Sequence, residues 1–220
     1  MSAYSEQPRA FFKGTPQQNH EIGVGSVLAA KRRLEWAQNG AAFGIPVVPI
    51  KKGSMQSLKQ PRTLKGWRIR GWAKEFPGCN FAYVLTDDWC VLNVDKHPHL
   101  RDEDGFKSLL QMNVVYPIDT FIVKTSRGGR HYYFKSSGLG YTGNRKLAAG
   151  VHLLGQGHTC LTPFTERDGR RKADPAGLYL PIGDFGDAKE FPDWLATRLK
   201  LERSPQSHSD TMFPLPAASA

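Results

Sequence analysis

The sequence predicts a mixed α+β fold built on antiparallel strands. Helical and strand-like stretches alternate without a break in composition from about residue 21 to 203. Short apolar runs come in pairs separated by tight, polar or Gly-rich turns, which argues for hairpins and against a doubly wound parallel sheet.

Ser26 can cap a helix running to about Ala42, with Val27, Leu28, Leu34, Ala37 and Ala41 available for a buried face and Gly44 as its stop. Ile45 to Ile50 reads as a strand, followed by a basic loop and a short helix from about Ile69 to Phe76 that ends at Pro77-Gly78. Phe81 to Leu85 and Trp89 to Val94 are two strands whose Asp87-Asp88 junction predicts a hairpin. Glu103 to Met112 suits a helix. Phe121 to Lys124 and His131 to Lys135 form a second hairpin around Arg127-Gly128-Gly129. Short strands follow near Val151 to Leu154 and Thr159 to Leu161, and an amphipathic helix from Phe191 or Pro192 to about Leu201. Residues 1–20 and 204–220 lack periodicity and are rich in Pro, Ser, Gln or Ala, so they are expected to be disordered tails around one domain, 21–203.

Composition narrows the class. The chain is 40% hydrophobic and 23% charged, and no apolar run approaches the roughly 20 residues that span a bilayer. The first ten residues are polar and lack a secretory signal, so a cytoplasmic location is expected. Cys79, Cys90 and Cys160 are odd in number and have no CxxC spacing, which fits free thiols in a reducing compartment. The net charge of +10 favours polyanionic partners. Lys51, Lys52, Lys59, Arg62, Lys65, Arg68 and Arg70 crowd one stretch, interleaved with Trp67 and Trp72. Such a segment suits single-stranded nucleic acid, with Lys59, Arg62, Lys65, Arg68 and Arg70 as the contacts. A solvated loop whose tryptophans plug into the core is the other reading, and the usual burial of large aromatics favours it for both rings.

Three segments carry unusual polar groups. In Cys90-Val-Leu-Asn93-Val-Asp95 a strong apolar strand ends in two polar residues, which period two puts on one face. A carboxylate there can hold Mg²⁺ or Mn²⁺, or simply cap the turn into Lys96-His97-Pro98. In the segment from Val123 to Phe134, two glycines permit a tight turn. Lys124, Ser126, Arg127, Arg130 and His131 bring donors to that turn, a cradle for a triphosphate or an ordinary surface hairpin. The third segment, Gly150-Val-His152 through His158 to Pro163, sets a histidine at a strand start beside a Gly-rich turn.

In order, Asn93-x-Asp95, Gly128-Gly-Arg-His131-Tyr-Tyr-Phe134 and Gly150-Val-His152 through Pro163 resemble the bifunctional primase/polymerase (prim-pol) domain of the archaeo-eukaryotic primase superfamily. Gly44-Ile-Pro-Val-Val-Pro49, Lys59-Gln-Pro61, Gly66-Trp67, Pro77-Gly-Cys-Asn80 and Asp104-Gly-Phe-Lys-Ser-Leu109 support the resemblance, which spans about residues 27 to 180. It implies an RRM-like catalytic sheet beside a smaller N-terminal α/β lobe, in a replication enzyme encoded by a microbe, plasmid or virus. It also implies an Asp-x-Asp pair and a downstream Asp that hold divalent metals, and a histidine that contacts nucleotide phosphates. By position Asp95 matches the second member of the pair and His131 the phosphate-binding histidine, the two catalytic candidates. Asn93 and His152 stand where the other carboxylates are expected, which leaves Asp95, Asn93 and His152 as the metal set. An amide adds no negative charge, and imidazole is a poor ligand for Mg²⁺.

Three readings follow. A prim-pol-like domain that binds nucleic acid or nucleotides with weakened or lost polymerisation is favoured. An active DNA primase/polymerase using Mg²⁺, Mn²⁺ or a more nitrogen-tolerant ion such as Zn²⁺ is the alternative; in the first case no cofactor is needed. A nicking enzyme built on His97-Pro-His99 fits poorly, because Leu100 is followed by the loop-like Arg101-Asp-Glu-Asp-Gly105. The chain carries no Gly-x-x-x-x-Gly-Lys-Ser/Thr motif. By family analogy the partners are DNA, nucleoside triphosphates and a replicative helicase or initiator.

Overall fold

A computed structural model describes residues 27–60, 62–96, 104–114, 118–136, 142–167 and 177–198. The expected tails, His97, His99 and the end of the last expected helix lie outside the described residues.

The strands sort into sheets by what they bury. The larger sheet comprises β3 (Trp89–Val94), β4 (Phe121–Lys124), β5 (Arg130–Lys135), β6 (Asn144–Ala148), β7 (Val151–Leu154) and β11 (Leu180–Ile182), in the order β11-β4-β5-β3-β7-β6. Every pairing in it is antiparallel. A smaller antiparallel sheet has the order β1 (Val47–Ile50), β2 (Asn80–Val84), β8 (Thr159–Leu161). A two-stranded ribbon pairs β9 (Glu166–Arg167) with β10 (Gly177–Leu178). This is the α+β architecture predicted, with an antiparallel sheet beside a smaller lobe of helices α1 (Val27–Ala42) and α2 (Gly66–Glu75).

Strand periodicity splits the core in two. One face of the large sheet carries Val91, Phe121, Val123, Tyr133 and Leu154, which pack toward α1, α2 and the small sheet. The other face carries Cys90, Leu92, Val94, Tyr132, Phe134, Val151 and Leu153. It packs on α3 (Gly105–Gln111), whose N-cap Asp104 accepts from the Phe106 and Lys107 amides, and on α4 (Asp193–Arg198). Phe185, fully buried on a 3₁₀ turn (Phe185–Asp187), plugs the first core, with Trp36, Phe43, Tyr83, Trp89, Phe121 and Tyr133 ringed around it.

Several expectations are corrected. β2 and β3 form no hairpin: β2 lies between β1 and β8, whereas β3 lies between β5 and β7. The Asp87-Asp88 turn instead carries the chain from one sheet to the other, held by Ser136, whose amide donates to Asp88 O and whose hydroxyl donates to Asp87 O. The strand expected from Ile45 begins at Val47, and the helix expected from Ile69 begins at Gly66. Leu28 is exposed, and the buried stripe of α1 runs through Ala29, Arg33, Ala37 and Ala41. The 121–135 hairpin and the short strands β7 and β8 form as predicted. All three cysteines are free and buried. Among the described residues no helix is long and apolar enough to cross a membrane.

Arg33 enters that stripe because it has partners. Its Nη1 lies 3.2 Å from Asn80 Oδ1, 3.3 Å from Phe164 O and 3.7 Å from Glu166 Oε1. Lys52 pairs with the other Glu166 oxygen at 2.5 Å. The Asn80 side-chain amide also bonds the Glu166 backbone twice, its Nδ2 donating to Glu166 O and its Oδ1 accepting from Glu166 N. Burial lowers the Arg33 pKa, and the Glu166 carboxylate opposes the shift. Removing one partner of such a pair strands a buried charge. Glu166→Ala is therefore expected to destabilise the fold by about 3–5 kcal/mol, read as a lower midpoint in urea unfolding with an unchanged slope; a change below about 1 kcal/mol would show the pair to be dispensable.

Candidate functional site

The first core stops short of one end of the sheets, and the space left there is a cleft of about 370 Å³. The large sheet supplies Asn93, Asp95, His131 and His152, and the small sheet supplies Asn80, Thr159, Cys160 and Leu161. Gly53, Ser54, Met55, Glu166, Arg167 and Tyr179 also line it.

Register explains why the polar groups meet. Asn93 pairs with His131 on one side and with His152 on the other. In an antiparallel ladder, directly paired residues share a face, so β5, β3 and β7 present one row: His131, Asn93, His152. Asp95 lies two residues beyond Asn93 on the same side. Asn93 is the one residue of β3 that is not buried, because this is where the strand meets the cleft.

The end of β3 is clamped. Asp95 N donates to Gly150 O at 2.7 Å, and Asp95 O accepts from Gly105 N at 2.9 Å. A β-carbon on Gly129 would sit 2.6 Å from Val94 O, and one on Gly105 would sit 3.0 Å from Asp95 O. The Gly128-Gly129 turn thus lies flat against the strand that carries Asp95, and Gly128 has the positive φ of 84° that the turn needs.

Side-chain bonds orient the row. Asn93 Nδ2 donates to Asp95 Oδ2 at 3.1 Å, and Asn93 Oδ1 is buried with no hydrogen-bond partner. His152 Nδ1 lies 3.1 Å from Asn144 Oδ1, within hydrogen-bond distance. His158, from the turn between β7 and β8, completes a group of three histidines lining the cleft. Burial lowers the His158 pKa, and neighbouring His152 lowers it further. At His131, desolvation is the larger cause and His158 the smaller, and they bring the pKa down from 6.5 to about 4. Its Nδ1 has no partner, and Tyr179 and Tyr133 flank the ring at 5.8 and 6.4 Å. Burial raises the Tyr179 pKa, while Arg167, which is hydrogen-bonded to it, and Arg127 pull it down.

The expected phosphate cradle divides. Arg127 and Ser126 stay on the cleft side, where Arg127 and Asp95 both act on Tyr179 and Ser126 packs against Gly177. Lys124 and Arg130 are paired with each other and face the opposite side with Tyr132. There the Arg130 guanidinium lies 5.5 Å from the Phe106 ring and bonds the Tyr132 hydroxyl at 3.3 Å. In the basic stretch, Lys59 is engaged with Glu75 at 2.9 Å and lies over Phe76, while Arg62, Lys65, Arg68 and Arg70 are exposed. Trp72 is buried as expected, but Trp67 is 60% exposed with Arg68 stacked 5.7 Å from its ring.

A sequence profile of the bifunctional DNA primase/polymerase N-terminal domain matches residues 37–194. The chain belongs to this Prim-Pol family. Membership places it among DNA-replication primase/polymerase domains, whose substrates are DNA and nucleotides and which as a family use divalent metals. No curated protein matches the chain. In this Prim-Pol domain the cleft row holds one carboxylate, Asp95, with an amide and two imidazoles beside it. Among the described residues no three His, Cys, Asp or Glu side chains are placed to hold a metal ion. One Asp95 oxygen already accepts from the Asn93 amide, so the donor set does not fit a carboxylate-bridged pair of hard divalent ions.

No local motif marks His158, Asn144, Arg167 and Tyr179 as site residues, because only tertiary pairing delivers them to the cleft.

His131 yields a titration prediction. Its folded pKa lies below the unfolded value, so the unfolded chain binds the proton first on acidification and stability falls from about pH 6.5 down to about pH 4. His131→Phe should flatten that part of the stability profile. In the unchanged protein, one imidazole NMR resonance should titrate near 4. A His131 resonance that titrates near 6.5 would contradict the assignment.

Proposed function

We propose that this domain binds nucleotide and nucleic-acid phosphates in its cleft through protein donors and cations, with metal-dependent polymerisation weakened or lost. The observation that carries the reading is the His131–Asn93–His152 row with Asp95 as its sole carboxylate. A metal site of three carboxylates would repel a triphosphate until cations filled it, whereas an amide and imidazoles do not. Arg127 and Arg167 at the rim add positive charge, and a bond from a charged donor to phosphate contributes about 1.5–3 kcal/mol. Asp95, Asn93 and His152 would form the remnant of the metal set, with His131, Ser126 and Arg127 toward the phosphates. Arg62, Lys65, Arg68 and Arg70, beside exposed Trp67, would contact a single strand.

The test pairs binding with catalysis. Fluorescence anisotropy with a labelled deoxynucleoside triphosphate should show saturable binding in EDTA that survives Asp95→Ala. Incorporation on primed DNA with Mg²⁺, Mn²⁺ or Zn²⁺ should be absent or feeble. Metal-dependent synthesis that Asp95→Ala abolishes would replace this reading with a working polymerase that uses an altered metal site.

Restoring charge gives the converse expectation. In Asn93→Asp/His152→Asp the row gains two carboxylates beside Asp95, taking the local ligand charge from about −1 to about −3. Mn²⁺ binding, followed by electron paramagnetic resonance, should tighten at least tenfold over the unchanged protein. An equal affinity in a variant with native circular dichroism would show that the row's spacing, rather than its charge, disfavours metal.

A further inference from the structure

We propose that residues 51–56 form a lid on the cleft with an exchangeable latch: Lys52 fastens it to Glu166, and a phosphate group entering the cleft competes for the same cation. This rests on the reading of the cleft as a phosphate site.

The lid is the tip of a hairpin that prolongs β1. Its base is fixed where Ile50 bridges Ser57 and the Leu58 amide donates to Pro49 O at 2.8 Å. Beyond the base the turn closes on itself. Lys51 N donates to Gln56 O, Ser54 N to Lys51 O and Gln56 N to Ser54 Oγ, and Gly53 makes the reversal at a φ of 72°. Gly53, Ser54 and Met55 line the cleft, yet all six residues of the tip are exposed, Met55 by 55%. Among the described residues, the Lys52–Glu166 ion pair is the one hydrogen bond or ion pair that joins this tip to another part of the cleft lining.

The charges around Glu166 make that tie expendable. Its side chain is 1% exposed and has two cations near it, buried Arg33 at 3.7 Å and Lys52, which is 42% exposed, at 2.5 Å. If Lys52 leaves, Arg33 still faces the carboxylate, so no buried charge is stranded. An ion pair with one partner half in water also contributes little net stability. A phosphate oxygen accepts the same charge-assisted bond from an ammonium that a carboxylate does, so Lys52 can pass from Glu166 to a ligand. Arg33 has no such freedom, because Asn80 Oδ1 and Phe164 O both accept from the same guanidinium nitrogen.

The experiment is double electron–electron resonance between spin labels at Met55→Cys on the lid and Arg145→Cys on β6. The native cysteines are buried and stay unlabelled. With Lys52 in place, the labelled protein should give one narrow distance distribution. Inorganic tripolyphosphate should broaden or shift it, and sodium chloride of equal ionic strength should not. Lys52→Met should show the altered distribution without the anion, respond no further to it, and keep the urea midpoint that Glu166→Ala lowers. A Lys52→Met distribution as narrow as with the lysine, a tripolyphosphate response that survives this substitution, or a midpoint as low as that of Glu166→Ala would each overturn the latch. If tripolyphosphate acts through Lys52 but no labelled deoxynucleoside triphosphate binds, the nucleotide reading falls and the latch stands.

Discussion

Strand β3 is the constraint on which the rest depends. It is paired along both edges, by β5 and β7, and its alternate side chains are shared between two hydrophobic cores. A strand so enclosed has no freedom of register, because a slip of one residue would turn Cys90, Leu92 and Val94 out of one core and Val91 out of the other. That fixed register sets Asn93 between His131 and His152. The backbone bonds from Gly150 and Gly105 then fix Asp95 beyond it. Side chains from three distant parts of the chain therefore converge with little conformational cost left to any ligand.

What was legible in the sequence was whatever local chemistry decides. The Gly128-Gly129 hairpin and the placement of Asn93 and Asp95 on one face follow from turn residues and strand period, whereas the helix expected from Glu103 begins at Gly105, because Asp104 caps it. What was not legible depends on remote partners. An acidic turn after an apolar strand looks the same whether the chain folds back into one sheet or crosses to another, so the β2–β3 junction was misassigned. Arg33 resembles a surface residue until Glu166, 133 positions later, accounts for its charge. The split of the basic hairpin was within reach: neighbours on a strand face opposite ways, so Arg130 could not share a face with His131. Trp67 and Trp72 differ by five positions on a ten-residue helix, and only the packing of α2 tells which ring is covered.

The cleft differs in electrostatic character from what its family membership suggests. Family enzymes use divalent ions, whereas here the row carries a single carboxylate, Asp95, bonded to the Asn93 amide, and His131 is held uncharged by burial. Positive charge lies on Arg167 in the cleft lining and along the exposed stretch from Arg62 to Arg70. Metal-held chemistry calls for more negative charge than the single carboxylate of this row supplies. Binding and chemistry thus place different demands on the same few positions.

The crossovers between the sheets carry a mechanical consequence. The chain passes from the small sheet to the large one at 86–88 and returns at 155–158, and the two crossings bond to each other, Leu85 N to His158 O and Gly157 N to Leu85 O, both at 2.9 Å. Together they make a stitched spine, like that of a book whose covers are the two sheets. The two sheets also share one apolar core, so the crossings and the core together hold the angle between them. His158 belongs to the spine and also to the cleft wall. A substitution that displaces the spine would therefore move one member of the histidine group directly.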